Sequence, residues 1–340
     1  MKAAAWTANG AIEVVERPLP EVRPGWVRIR VASAGICGSD LHYLGGRVDF
    51  PGMTPGHEIG GVIDEASEGT GFEPGTPVVV EGAFACERCD FCLGGHYSHC
   101  ARLRFLGFGV PGAMAEYMVA PKSAVYRLPP GVPPEWGALV EPMAICVRAM
   151  HRARIALGDR VLVLGSGTIG LLSTLLAKES GASAVYATAR HPQQQEMARA
   201  MGAADVFGSS EEAAKVLGER SMDVVIETVG GTADTVADAV GLVRDLGTIC
   251  VTGVFQQPSA VPMTPVALRE ITIVGAFGYS RNHGYADFAM AADLVGKHLE
   301  LVQQMVTHRF PLERAPEAFA TAHDKRSGSI KVHIRPGETG

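Results

Sequence analysis

An apolar run, Val161-Leu162-Val163-Leu164, passes directly into Gly165-Ser166-Gly167-Thr168-Ile169-Gly170 and then into a helical stretch from Ile169 to Glu179. No other feature of the chain restricts its fold as much. In a strand–turn–helix of this kind the first glycine permits the tight turn and the second lets a pyrophosphate approach the backbone. The third lets the helix close on the strand, and the helix N-terminus favours an anion. In a chain with 41 glycines the spacing alone also fits a plain strand-to-helix turn. The context favours a dinucleotide site. A second strand (184–187), a helix containing Met197, Ala198 and Met201, and further strands at 224–226, 248–251 and 271–274 follow. Strands alternating with helices predict an α/β, Rossmann-type doubly wound parallel sheet.

The end of the second strand bears on which dinucleotide would bind. A carboxylate there would accept hydrogen bonds from the adenosine ribose and favour NAD. The sequence reads Thr188-Ala189-Arg190-His191, with no acid before Glu196. Arg190 can pair with a 2′-phosphate through its planar fork, so NADP(H) is expected over NAD(H). The bland alternative is a solvated loop arginine.

The first third has a different texture. Trp26 to Val31 alternates like a strand between Pro and Gly clusters, and Pro74-Gly75-Thr76-Pro77 looks like a turn feeding Val78-Val79-Val80. Helical spacing begins at Trp136, and Pro142 suits the first turn of a helix running through Met150. After Ser280 the chain returns to mixed character and ends on a strand, 330–334. Three segments are expected: 1–148, 149–280 for the dinucleotide fold, and 281–340. With 47% hydrophobic and 19% charged residues the chain is globular, and at 340 residues it should form about two domains. A net charge of −6 without a run of Lys or Arg argues against nucleic acid or an anionic membrane as partner. The N-terminus has no signal-peptide core and no apolar stretch is long enough to span a bilayer, so a cytoplasmic location is expected.

In that reducing setting the seven cysteines should be thiols or metal ligands rather than disulfides. Cys86-x2-Cys89-x2-Cys92-x7-Cys100 gathers four of them within one loop, as a closed tetrahedral Zn²⁺ site requires. Such a site crosslinks the loop, about 84–104, and leaves no open position for chemistry. Elsewhere Cys37-Gly38-Ser39-Asp40-Leu41-His42, Gly56-His57-Glu58 and Glu141-Pro142 supply thiol, imidazole and carboxylate, the mixed set of catalytic zinc sites that keep a position open. Singly, each has an ordinary reading: a core cysteine, a satisfied turn histidine, a helix-start charge.

Together, and in this order, these motifs resemble the zinc-containing medium-chain alcohol dehydrogenases, closest to their sorbitol (polyol) and threonine dehydrogenase branch. The match runs from Met1-Lys2-Ala3 to Ser329-Ile330-Lys331-Val332. The resemblance implies a β-rich GroES-like catalytic domain (1–148 with 281–340) bearing the zinc lobe, beside the Rossmann domain. It implies Cys37 and His57 as catalytic zinc ligands. Glu58 would be the third, with Glu141 exchanging with it or holding the zinc-bound water; sequence leaves that choice open. Ser39 and His42 match the family's proton relay. By family position Gly165 to Gly170, Thr188, Ala189, Arg190, Thr228, Thr252, Gly253 and Phe277 would bind the cofactor, and Lys331 would lie near its phosphates.

The implied activity is hydride transfer between NADP(H) and a secondary alcohol or ketone, with polyol, sugar-like and cyclitol substrates in that range and two zinc ions per chain. Polyol dehydrogenases carry Arg where Gly278 stands here, which puts a sugar alcohol in doubt; Tyr279 is kept. By family position the substrate pocket draws on Tyr43 to Phe50, Phe105 to Val110 and Phe277 to His283. A homodimer or homotetramer is implied. Two rivals remain: a zinc-free enoyl or quinone reductase of the same fold, which would not need the catalytic ligands, and a non-catalytic NADPH-binding protein, which would make Ser39, His42 and Glu141 coincidental.

Overall fold

The computed structural model describes residues 1–46, 48–282 and 284–337. It divides into two compact units, Met1–Ala144 with Tyr279–Gly340, and Ile145–Gly278. The division falls a few residues ahead of the boundaries expected from sequence texture. No described helix is long and apolar enough to cross a membrane.

The second unit is built on a six-stranded, all-parallel sheet. In spatial order its strands are Asp205–Phe207, Ala184–Thr188, Arg160–Leu164, Met222–Glu227, Val243–Val251 and Thr272–Gly275. Along Val161–Leu164 successive side chains point to opposite faces, and both faces are dry. Leu162 and Leu164 pack with Val225 and Ile249, while Val161 and Val163 pack with Val224, Ile226 and Cys250. The order reverses between Arg160–Leu164 and Met222–Glu227, and the glycine turn leaves the first of these two strands. That crevice is where open α/β sheets bind ligands.

The first unit is β-rich, as expected. A seven-stranded sheet runs Val125–Arg127, Pro77–Val80, Glu58–Ala66, Trp26–Gly35, Lys331–Arg335 and Val306–Pro311, with Tyr117–Pro121 also pairing along Trp26–Arg30. Val27, Ile29 and Val31 point inward and join Ile59, Ile63, Val80 and Val332 in one core; Arg28 and Arg30 point outward. The C-terminal strand reaches this sheet antiparallel to Trp26–Gly35, with Ile334 opposite Ala34 and His333 opposite Gly35. The cysteine loop is a small appendage with one helical turn, Asp90–Leu93, and a short three-stranded sheet of Ala83–Phe84, Arg104–Leu106 and Gly109–Val110.

Candidate metal centres and cofactor loop

Three side chains meet where the strands Trp26–Gly35 and Glu58–Ala66 end side by side. Cys37 follows the first strand and begins the short helix Gly38–Leu41; Glu58 opens the second, directly after His57. A ligand atom from each of Cys37, His57 and Glu58 lies within 4.8 Å of the others. The register sets Gly35 opposite Glu58, and a Cβ on Gly35 would stand 1.9 Å from Glu58 Oε2. Only glycine leaves room there for the carboxylate, a requirement that the sequence alone does not reveal.

The surroundings are strongly anionic. Asp40, 2% exposed, accepts a hydrogen bond from the Cys37 backbone N–H at 3.0 Å, and its Oδ1 lies 3.9 Å from His57 Nδ1. At that distance the carboxylate adds a negative field beside the imidazole without accepting a hydrogen bond from its Nδ1. Sequence reading gave Asp40 no role, although it lies within the quoted motif. Burial alone would lower the pKa of His57. The sulfur of Cys37, its hydrogen bond to the ring, and then Asp40 and Glu141 outweigh it and push the imidazole up to about 10. A site that draws a proton onto histidine this strongly offers the same field to a divalent cation, which would displace that proton.

Glu141 sits in the first turn of the helix Val140–Ala153, buried, and accepts a short hydrogen bond from the Tyr279 hydroxyl. Burial pushes its carboxyl up to about 7; His57 opposes the rise, Glu58 adds to it, and Tyr279 and Lys331 oppose it. Lys331 departs from its expected place beside cofactor phosphates. The C-terminal strand turns its side chain inward, where Nζ donates to Glu58 at 2.5 Å and to the Ile36 carbonyl at 3.0 Å, with 2% of the residue exposed. Of the proposed relay, Ser39 is half-buried and His42, at the end of the same helical turn, is exposed; no hydrogen bond joins them. Aromatic rings flank the centre: Phe105 and Phe108 lie 5.2 and 5.7 Å from the His57 ring, and Tyr43 lies 5.9 Å from Phe108. Of the other pocket positions expected from sequence, Arg47 and His283 fall outside the described residues.

In the loop, one sulfur from each of Cys86, Cys89, Cys92 and Cys100 lies within 4.8 Å of the rest, and all four are free thiols. Cys100 Sγ accepts from the backbone N–H groups of Cys86 and Arg102 at 3.4 and 3.3 Å. Backbone donation, that of Arg88 first, lowers the Cys86 thiol to about 6. A tetrahedral zinc fits this donor set, and the Cys, His and carboxylate set fits one with an open position.

In the second unit Gly165 adopts φ +93°, and a Cβ on Gly170 would stand 1.9 Å from the Gly165 carbonyl, while one on Gly167 would meet open space. The turn is tied to the neighbouring strand: Gly165 N–H donates to Thr188 Oγ1 and Ser166 Oγ to the Thr188 carbonyl, each at 2.9 Å. Thr228 and Thr252 spend their hydroxyls on backbone carbonyls, of Leu164 and Glu227. Arg190 is exposed and has no ion-pair partner among the described residues.

Comparison with known proteins agrees with this geometry. Residues 23–130 match the alcohol dehydrogenase GroES-like domain, and residues 168–296 match the zinc-binding dehydrogenase domain. The chain is 33% identical to sorbitol dehydrogenase from Gallus gallus, over 96% of its own length and 94% of that protein. It is 32% identical to L-idonate 5-dehydrogenase from Vitis vinifera, over 97% and 93%. The chain belongs to the zinc-binding medium-chain alcohol dehydrogenases, in their polyol branch. It is thus an NAD(P)-dependent zinc alcohol dehydrogenase, which sets aside both the zinc-free reductase and the non-catalytic reading. A solved protein from Sinorhizobium meliloti, described as a zinc-binding dehydrogenase and bound to NADP, shares the dehydrogenase fold at a TM-score of 0.89. It is 29% identical, over 98% of this chain and 99% of that one.

Proposed function

We propose that this dehydrogenase transfers a hydride between NADP(H) and a secondary alcohol or ketone of the polyol, sugar-like or cyclitol class. The convergence of Cys37, His57 and Glu58 within 4.8 Å carries the reading, because that donor set holds zinc and leaves a position for a substrate oxygen. Zinc, when bound, supplies the Lewis acidity that polarises a carbonyl or lowers an alcohol's pKa. The chain does the rest. Asp40 adds negative charge beside His57. Lys331 balances the charge of Glu58, which we assign as the third ligand. Glu141, gripped by Tyr279, stands by to hold or exchange a water or proton. Tyr43, Phe105 and Phe108 offer an apolar wall to the C–H face of the substrate and exclude water from the reacting carbon. Ser39 and His42, which do not touch, would move the substrate proton toward solvent when the cofactor is bound.

The substrate class rests on the sorbitol and L-idonate dehydrogenase relatives, tempered by Gly278, which brings no cation to the pocket. Preference for NADP(H) rests on Arg190, which has no ion-pair partner among the described residues, on the missing acid before Glu196, and on the NADP-bound relative. Two zinc ions per chain are expected, one in each cluster. We also expect a homo-oligomer: the strand Thr272–Gly275 is an open sheet edge, with Leu246, Met263 and Leu268 exposed around it. An oxidation screen of sorbitol, idonate, inositols and simple secondary alcohols, run with NADP and NAD in parallel, tests the whole reading. Turnover of none of them with either cofactor would overturn it.

A further inference from the structure

The cysteine loop and the adjoining sheet of the first unit border a cavity of about 640 Å³ that lies apart from the Cys37–His57–Glu58 centre. Its floor holds Glu81 and Tyr97, 3% and 9% exposed. Tyr126 donates to Glu81 Oε2 at 3.0 Å, and the Tyr97 hydroxyl approaches the same carboxylate, but neither Glu81 Oε1 nor that hydroxyl closes a well-formed hydrogen bond among the described residues. Buried polar groups left this way call for water or a ligand. Around the mouth stand Arg88, Arg102, Arg104 and Arg281, all exposed and none with an ion-pair partner among the described residues. Against these four guanidinium groups the lining sets Glu87 at the rim and Glu81 below. One wall is aromatic, with Trp26 packed edge-on to Phe84 at 6.0 Å.

These features sort by chemistry. Unpaired guanidinium groups bind phosphate or carboxylate in forked geometry. A carboxyl and a phenol with spare hydrogen-bonding capacity suit hydroxyl groups, which both donate and accept. An aromatic face suits the C–H surface of a carbohydrate. Inorganic phosphate would satisfy only the rim, and a neutral polyol only the floor. We propose that this cavity is a second, non-catalytic binding site for a small polyhydroxylated organic anion. Its anionic group meets the rim arginines and its hydroxyls meet Glu81 and Tyr97. The proposal stands independently of the catalytic reading, since it uses none of Cys37, His57 and Glu58, although Cys86 and Cys92 of the cysteine loop also line the cavity.

Trp26 in the lining gives a direct signal. The zinc-loaded full chain, without cofactor, is titrated with glucose 6-phosphate, gluconate, glucose and inorganic phosphate, following tryptophan fluorescence and heat, with Trp26→Phe as the blank. Glucose 6-phosphate or gluconate should saturate one site per chain at least about tenfold more tightly than glucose or phosphate, and which of the two binds tells phosphate from carboxylate. Arg102→Ser with Arg104→Ser, both surface changes, should weaken that binding at least about tenfold with kcat/KM unaltered, and Tyr97→Phe should weaken it too. The proposal falls if neither anion binds better than phosphate, or if the arginine pair leaves binding intact, which would place the ligand in the active site. It falls equally if the arginine pair changes the mass of the protein in solution and no anion binds, since the face would then be a contact between copies.

Discussion

Lys331 Nζ lies 2.5 Å from the carboxylate of Glu58, and neither side chain has more than 2% of its surface exposed. Two charges so fully removed from water tolerate each other only as a pair. Taking away one partner leaves the other buried and uncompensated, which costs about 3–5 kcal/mol. Lys331→Met should therefore lower the unfolding free energy of the zinc-free protein by about that amount in a denaturant titration, and by less once zinc is bound to Glu58. The variant should hold its catalytic zinc at least as firmly as the parent, because the ion then supplies the counter-charge that Lys331 gave Glu58, as read by metal content after dialysis against a chelator. Unchanged stability would mean that Glu58 finds its balance elsewhere.

The two cysteine-bearing clusters should load independently. Metal analysis is expected to return two zinc ions per chain, one after Cys37→Ala and one after Cys100→Ser. Cys37→Ala and His57→Ala should cut kcat by a factor on the order of 10³ or more while NADPH still quenches protein fluorescence. Substantial activity in either variant would remove the metal from the mechanism.

Cofactor choice should turn on a single exposed cation. Among the described residues Arg190 has no ion-pair partner to give up, so pairing with a 2′-phosphate would be worth about 1.5–3 kcal/mol, a factor of roughly 10 to 150. Ala189→Asp combined with Arg190→Leu should move the ratio of kcat/KM for NADP over NAD by at least that factor toward NAD. An unmoved ratio would place the discrimination outside this loop.

Glu81 should give the protein a pH-dependent stability of its own. Burial lifts its carboxyl to about 7 from an ordinary value near 4.5, with Tyr97, Tyr126 and Arg281 only partly opposing the rise. The folded state then keeps a proton that the unfolded chain releases between those two values. The group imposes no penalty below about 4.5, an increasing one up to about 7, and a constant one above, on the order of 3 kcal/mol. Glu81→Gln should flatten this part of the profile, so that its stability gain over the parent is larger at about pH 8 than at about pH 5. A gain independent of pH would show that Glu81 titrates normally.

The parts of the molecule most legible in the sequence are those whose arrangement is local. The glycine turn, the cysteine spacing and the apolar strand Arg160–Leu164 each carry their meaning within a few residues. Strand limits were read short wherever pairing rather than composition extends them. Composition marks Val243–Val251 as a strand only from Thr248, because Arg244 and Asp245 do not look like strand residues and the register shifts between Met222 and Val224 on its partner. Helices Ser210–Leu217 and Thr235–Leu242 went unread. The relationships that tune the metal centre were the least legible. The burial of Lys331 against Glu58, the clearance at Gly35 and the grip of Tyr279 on Glu141 join residues far apart in the chain, through register and packing that no short pattern encodes.

The C-terminal strand thus has a bearing on how the protein matures. The cysteine loop draws all its sulfurs from Cys86 to Cys100 and can capture its ion soon after that stretch leaves the ribosome. The catalytic pocket cannot be finished then, because Glu58 waits for a counter-charge that lies 273 residues downstream. The order of synthesis thus leaves time for an ion held by the four sulfurs to be seated before the reactive centre is completed by the last strand.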